Sequence, residues 1–330
     1  MKKVILFGGS FDPIHYGHLN MAKQALLQEG AFELWFIPTA ISPFKNQSSD
    51  FNKRCRMIEM MISDQDKMKV CRIESTLPQP SYTFNTVLEL KKQHPNIHFQ
   101  WLIGDDQLKK LHLWYEFDKL NQEVEFIVYS RDEVNHDYAS VIGEVMEVSS
   151  TAIRQGTQFK TKPSILKYMM QEGLYLDIMT QHRLSQFRYE HTLRVTELAL
   201  EIGAYHNMDA KQIRLAAMMH DYCKEDYSDI SFVRKDVHKA LYHGYAAAST
   251  LSKYYYVKDR DVLRSIKGHV VGASTSKLGM LLYIADKCER GRKYNTEVWI
   301  AQAKKDLQKT FKKLKEFTQE YRKEDSLWNY

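Results

Sequence analysis

The sequence predicts an α/β domain built on a parallel sheet, followed by an all-α domain. Three observations carry this. Strand-like and helix-like runs alternate through the first half of the chain. From about Gln181 onward a 3.6-residue period takes over and strand-like runs nearly vanish. The 330 residues, 44% hydrophobic and 27% charged, hold enough apolar material for two cores. In chain order, Val4–Phe7 reads as a strand running into Gly8-Gly9, and a helix follows at about His18–Gln28. Leu34–Ile37, Phe99–Ile103 and Glu125–Tyr129 read as further strands. Arg188–Ala204, Ala210–Tyr222, Gly244–Tyr254, Asp259–Gly268 and Leu278–Glu289 read as helices. From about Val298 the chain reads as one Lys-rich amphipathic helix, better explained as a solvated cap than as a nucleic-acid arm. The domains are expected at 1–180 and 181–330.

The formal charge of +6 is mild. It suits phosphate-rich small molecules, and nucleic acid is not expected as the main partner. Cys55, Cys71, Cys223 and Cys288 lack CxxC spacing, so reduced thiols in a cytoplasmic protein are expected. Met1–Leu6 is too short for a secretory leader or a membrane span. No internal repeat is visible. A homo-oligomer is compatible with the sequence but cannot be read from it.

The strongest local signal is the run Gly8-Gly9-Ser10-Phe11-Asp12-Pro13-Ile14-His15-Tyr16-Gly17-His18, between a strand and a helix. Glycines there permit a tight turn and close approach of backbone N–H groups to an anion. A helix N-terminus adds partial positive charge. His15 and His18, three apart, share a face of the first turn, and Gly17 keeps a side chain away from the ligand. Two imidazoles donating to phosphate would stabilise charge on a departing pyrophosphate. Asp12 either fixes the loop or sits near a metal. Later in this half, Ser150 and Thr151 can cap a helix starting near Ala152, with Arg154 gripping a phosphate. The face of Trp114 suits a flat ring.

This run carries the HxGH signature, and residues 1–178 resemble the bacterial nicotinate-nucleotide adenylyltransferases of the nucleotidyltransferase superfamily. Matching segments are Pro38–Lys45, Arg54–Met57, Pro80–Thr83, Gly104–Asp106 with Trp114–Glu116, and Val148–Arg154. The resemblance implies a Rossmann-like sheet, Mg²⁺, and AMP transfer from ATP to nicotinate mononucleotide with release of pyrophosphate. It implies that His15 and His18 contact the triphosphate and that Lys45, Arg54 and Arg154 meet phosphate charge. Gly8, Gly9, Ser10, Phe11, Asp12, Gly104, Asp106, Ser150 and Thr151 would shape the nucleotide site. Tyr82 and Thr83 would supply donors that a ring carboxylate or an amide could use, the bacterial-type match favours nicotinate over nicotinamide, and Trp114 would stack on the ring.

In the second half, His191 lies on one helical run, the pair His220-Asp221 at the end of the next, and Asp286 on a later one. Imidazole and carboxylate together suit Mn²⁺, Fe or Zn²⁺ better than Ca²⁺. The apolar run Leu215–Met219 delivers His220-Asp221 into a core, where unused polar groups would be costly. His243 and His269 could bind a second metal or contact phosphate. Residues 184–300 resemble the HD superfamily of metal-dependent phosphohydrolases, and most of all the bacterial enzymes that cleave diadenosine tetraphosphate symmetrically to ADP. The likeness rests on Arg188–Val195, Met219–Lys224, Tyr242–Gly244 and Ile284–Arg292. It implies His191, His220, Asp221 and Asp286 as direct metal ligands, His243 and His269 as the next, and Lys224 with Arg188 against phosphate. Where that group carries His-Thr-Thr-Gly, this chain has His269-Val270-Val271-Gly272, which leaves the substrate open. The combined expectation is a bifunctional enzyme. The alternatives are a nucleotide-sensing second domain without turnover, a second domain acting on another nucleotide, or a different acceptor such as a pantetheine phosphate.

Overall fold

The computed structural model describes residues 1–43, 49–131, 137–226, 237–292 and 294–324, with side chains to residue 319. Packing divides the chain into two compact units, Met1–Ile165 and Leu166–Tyr330.

The first unit is a parallel six-stranded sheet in the order β3-β2-β1-β4-β5-β6. The strands are β1 (Lys2–Gly9), β2 (Glu33–Pro38), β3 (Met68–Val70), β4 (Ile97–Gly104), β5 (Glu125–Ser130) and β6 (Ala139–Ile142). β1 is central because Val4–Phe7 is apolar without interruption and buried, as a strand covered on both faces must be. It pairs with β2 on one side, Gly9 opposite Pro38, and with β4 on the other, Leu6 opposite Trp101. The chain therefore leaves β1 toward β2 and returns to β4 on the far side. This is the reversal at which doubly wound sheets open a crevice beyond the strand carboxyl ends. The edge strands β3 and β6 carry no sequence signal. They are short, and Lys69 and Ser140 point outward.

Helices of the first unit are α1 (Tyr16–Gln28), α2 (Phe51–Met61), α3 (Thr83–Gln93), α4 (Asp105–Leu108), α5 (Phe117–Glu123) and α6 (Ser150–Arg154). α7 (Pro163–Gln171) spans the division.

Among the described residues, the second unit is helical: α8 (Leu176–Arg183), α9 (Gln186–Tyr205), α10 (Ala210–Met219), α11 (Tyr242–Lys253), α12 (Arg260–Gly268), α13 (Lys277–Cys288), α14 (Glu297–Lys305) and α15 (Leu307–Glu324). The packing division falls ahead of residue 180 because α8 is fastened to α10, with Arg214 on Asp177 at 2.6 Å. α13 is the central helix, buried from Leu278 to Cys288. Asp209, Asp259 and Ser276 cap α10, α12 and α13 by accepting backbone N–H groups. Two expectations change here. α10 stops at Met219, which leaves His220-Asp221 in the turn beyond it. The Lys-rich terminal helix is two helices. Asp306 leaves helical geometry at φ −147° and caps α15 by accepting from Lys309 N–H at 2.9 Å. α15 does act as a cap, burying Leu307, Phe311 and Leu314, with Phe311 edge-on to Tyr283 of α13.

Candidate functional site

Two adjoining cavities open at the sheet reversal, of about 680 and 380 Å³. Gly8, Gly9, Ser10, Asp106 and Trp114 line both. In the larger cavity His15 is the N-cap of α1, and His18 lies in its first turn. Their rings stack at 3.7 Å. The backbone N–H of His15 donates to Nδ1 of His18 at 3.2 Å. That bond requires a bare Nδ1, so in neutral His18 the proton sits on Nε2, which is a donor. His15 is 7% exposed, and burial pushes its pKa down to about 4, so it is neutral at pH 7. Its Nδ1 is buried without a hydrogen-bond partner.

Three sequence expectations are refined. Gly17 lines the larger cavity and also makes room for protein, since a Cβ there would meet Val148 and the His15 ring at 3.0–3.1 Å. Gly8 is required by Trp101, whose ring would lie 2.3 Å from an added Cβ. Phe11 adopts φ +48° and is buried, with its ring edge-on to His18 at 5.1 Å. It is therefore a wedge that sets His18.

Ser149, not Ser150 or Thr151, caps α6, accepting Ala152 N–H at 3.1 Å. Ser149 has the extended backbone a cap needs, whereas Ser150 and Thr151 are already helical. Ser150 donates to the Pro13 carbonyl at 2.8 Å, and Arg154 donates to the Asp12 carbonyl at 2.5 Å and to Thr151 Oγ1 at 3.2 Å. These three line the larger cavity while bracing the glycine loop. Asp12 is buried and accepts from the Ser49 hydroxyl at 2.5 Å, so it fixes the loop.

The smaller cavity is lined by Tyr82, Thr83, Trp114 and Tyr115, with Tyr82 and Tyr115 stacked at 4.5 Å. Trp114 also packs edge-on to Phe126 at 6.2 Å, so one ring serves both core and cavity. Arg54 departs from expectation. It is 1% exposed, and its guanidinium donates to the carbonyls of Ser10, Ala40 and Ser49 at 2.8, 3.3 and 3.2 Å. It sits on the buried face of α2, where a guanidinium needs many acceptors. It fastens loops and does not line either cavity. Lys45 lies outside the described residues. Glu74, missed in the sequence, lines the smaller cavity from a 3-10 turn that carries no periodic signal.

In the second unit the six expected ligands converge from α9, α11, α13 and the turns after α10 and α12. Nitrogen and oxygen atoms of His191, His220 and Asp286 lie within 4.8 Å of one another, as do those of His220, Asp221 and His269. His243 belongs to neither triplet, but its Nε2 is 3.1 Å from Asp221 Oδ1 and 3.2 Å from His269 Nε2. His220 and His269 point Nδ1 at the carbonyls of Ala217 and Ile266 at 2.6 and 2.7 Å. Those carbonyls accept the ring proton, which leaves Nε2 bare and ligand-ready. His220 Nε2 is buried with no hydrogen-bond partner. An orphaned, unprotonated nitrogen among buried carboxylates fits a divalent transition metal. Burial lowers the pKa of His220 to about 4. Burial works against charge on Asp221 and Asp286, yet the surrounding histidines, with Lys287 and Arg292 at Asp286, hold both carboxyls well below their usual range.

The sequence reading missed Glu289. It is 3% exposed and accepts from His191 Nδ1 at 3.3 Å, Arg194 Nε at 2.6 Å and Gly291 N–H at 2.6 Å. Burial opposes its charge, but these donors hold its pKa down to about 2. Its place three residues after Asp286, at the C-cap of α13, was the available signal. Lys224 Nζ lies 3.4 Å from His243 Nε2, and burial lowers its pKa, with the charge of Arg188 adding to the effect.

Residues 6–156 match the cytidylyltransferase-like family and residues 188–291 the HD domain family. A Mycoplasma genitalium protein named as a probable nicotinate-nucleotide adenylyltransferase/Ap4A hydrolase is 30% identical, over 88% of this chain and 89% of its own. The nicotinate-nucleotide adenylyltransferase of Bacillus subtilis is 38% identical over 53% of this chain and 99% of its own length. A solved Plasmodium falciparum nicotinic acid mononucleotide adenylyltransferase is 23% identical, with a TM-score of 0.47, over 53% of this chain and 98% of its own. No helix among the described residues is long and apolar enough to cross a membrane. With its two-unit architecture and a relative aligned along nearly its whole length, the chain belongs to the family that joins a nicotinate-nucleotide adenylyltransferase domain to an HD domain.

Proposed function

We propose that this chain is a cytoplasmic bifunctional enzyme. Residues 1–180 transfer AMP from ATP to nicotinate mononucleotide, giving nicotinate adenine dinucleotide and pyrophosphate. Residues 181–330 hydrolyse a nucleotide phosphoanhydride, diadenosine tetraphosphate plus water giving two ADP. The carrying observation for the first activity is the stacked pair His15 and His18 at the head of α1, beside two adjoining cavities. An oxygen of the acceptor phosphate attacks the α-phosphorus of ATP, the bond to the bridging oxygen breaks, and pyrophosphate leaves. No protein nucleophile is needed. His18 Nε2–H and the N-terminus of α1 stabilise the charge that builds on the leaving group. When bound with the triphosphate, Mg²⁺ would supply neutralisation of part of its charge. The larger cavity suits ATP and the smaller the acceptor. The latter is lined by Tyr82 and Thr83 at the head of the 11-residue helix α3, whose partial positive charge favours a ring carboxylate. The Bacillus subtilis relative bears the name of this reaction.

For the second activity, His191, His220, Asp221 and Asp286 would hold a divalent metal such as Fe or Mn²⁺, with His243 and His269 beside them. When bound, such an ion supplies Lewis acidity and lowers the pKa of water. Lys224 and Arg188 balance substrate phosphate. The Mycoplasma genitalium relative's name supports the substrate. The test is a product assay on the purified chain. With Mg²⁺ and ATP, nicotinate mononucleotide yields dinucleotide faster than nicotinamide mononucleotide does. With Mn²⁺ or Fe²⁺, diadenosine tetraphosphate yields ADP alone. No dinucleotide product sinks the first assignment, and AMP plus ATP in place of ADP sinks the second.

A further inference from the structure

Two parts of the smaller cavity's lining, its two walls, come from different stretches of the chain. One is the loop after β2, with Thr39, Ser42 and Pro43; the other is the head of α3, with Tyr82 and Thr83. Glu74 lies between them, 4% exposed, on the short turn Ile73–Thr76. Its Oε2 accepts the backbone N–H of Ala40 at 3.2 Å, and its Oε1 accepts the Thr86 hydroxyl at 3.1 Å. Thr86 is one turn into α3. Ala40 is held from its other side as well. Its carbonyl accepts from Arg54 at 3.3 Å, and the same guanidinium donates to the Ser10 carbonyl at 2.8 Å. A second tie runs beside the first: Ile41 N–H donates to Ser81 Oγ at 3.3 Å, and Ser81 N–H to the Ile41 carbonyl at 2.9 Å.

From this geometry we infer that Glu74 is a positioning residue for the acceptor nucleotide, a buried carboxylate strut that sets the spacing of the two walls and links them through Arg54 to the glycine turn. A carboxylate is buried only where several donors meet it. Here those donors come from the two surfaces that must stay a fixed distance apart for a flat pyridine ring. Glu74 and Ser81 line the smaller cavity and not the larger one, so they act on acceptor binding rather than on the departing pyrophosphate. The inference rests on assigning the smaller cavity to the acceptor.

The test compares Glu74→Leu, Glu74→Gln and Thr86→Val. Leucine fills the space and accepts nothing. Glutamine can accept Ala40 N–H through its oxygen and donate to Thr86 Oγ1 through its amide, so it preserves both ties. Thr86→Val cuts one tie at a conserved volume. Losing both ties should raise the acceptor KM roughly tenfold and losing one about threefold. The KM for ATP should stay within about twofold, as should both constants of the glutamine variant. Hydrogen exchange at Ala40 and the first turn of α3 should quicken in Glu74→Leu and not in Glu74→Gln. Equal rises in the two KM values overturn the inference, and so does unchanged exchange at Ala40. Wild-type protein that makes no dinucleotide refutes the assigned reaction instead, and the exchange measurement then decides on the strut by itself.

Discussion

Glu289→Gln gives the sharpest test of the second unit, because a one-atom change forces a choice between donors. Glu289 accepts with both oxygens, Oε1 from His191 and Oε2 from Arg194 and Gly291. A glutamine keeps a single accepting oxygen. The two contacts at 2.6 Å are the stronger pair, so the oxygen stays with Arg194 and Gly291, and the amide turns toward His191. His191 must then accept at Nδ1. Its proton moves to Nε2, the atom 3.2 Å from Asp286 Oδ1, and the lone pair proposed to ligate the metal is lost. Removing such an outer partner costs roughly 10- to 100-fold in metal affinity, or about 1.4–2.8 kcal/mol. Metal competition titrations with a chromophoric chelator at pH 7.5 read this directly, with AMP transfer by the same sample as the internal control. Glu289→Asp, which keeps two accepting oxygens, should recover part of the loss. A Glu289→Gln affinity within about twofold of the parent would show that the tautomer of His191 is set by something else.

The remaining predictions separate the two chemistries. His18→Ala should lower dinucleotide formation by about 10²–10³-fold and leave diadenosine tetraphosphate hydrolysis intact. Asp221→Ala should do the reverse, and loss of both activities in either variant refutes two independent sites. Trp114→Ala should raise the KM for the pyridine nucleotide about tenfold, more than that for ATP, and an equal rise in both would return the ring to a packing role. His15 gives a pH signature. Its folded pKa is lowered by burial to about 4, so on acidification the unfolded chain takes up the proton first. Stability from this group is full above about pH 6.5 and declines as the pH falls toward 4. The melting-temperature gap between the parent and His15→Gln should therefore shrink from pH 7 to pH 4, and a constant gap would contradict neutral burial of His15.

The order of strand and helix was legible because the central strands are buried on both faces and read as apolar runs, unbroken at Val4–Phe7 and interrupted by the buried Gln100 at Phe99–Ile103. The edges were not. Met68–Val70 is held by its pairing with β2, a long-range contact that leaves no local trace. The break between α14 and α15 turns on one cap, Asp306, inside a pattern that is amphipathic throughout. Among site residues, those in the glycine turn and the His-Asp pair were visible because their spacing is local. Glu74 and Glu289 were not, because each works by joining segments distant in the chain. Arg54 was visible but misassigned. A sequence shows that a cation is present, but only the fold shows that three carbonyls have already engaged it.

The histidines make the deeper point. In the first unit a backbone N–H donates to Nδ1 of His18, so the neutral ring carries its proton on Nε2, as the proposed contact with phosphate requires. In the second unit backbone carbonyls face Nδ1 of His220 and His269 and take that proton, so Nε2 is left bare. One residue type is set to opposite roles by the polarity of a single backbone partner. Swapping the roles would fail on both sides. A bare Nε2 would repel a phosphate oxygen, and a protonated one cannot ligate a metal. The division of labour between the two sites is therefore written in hydrogen-bond direction rather than in residue identity. That is why His15-Tyr16-Gly17-His18 and His220-Asp221 can look alike as histidine motifs while presenting a donor in one unit and a bare nitrogen in the other, as the two proposed chemistries require.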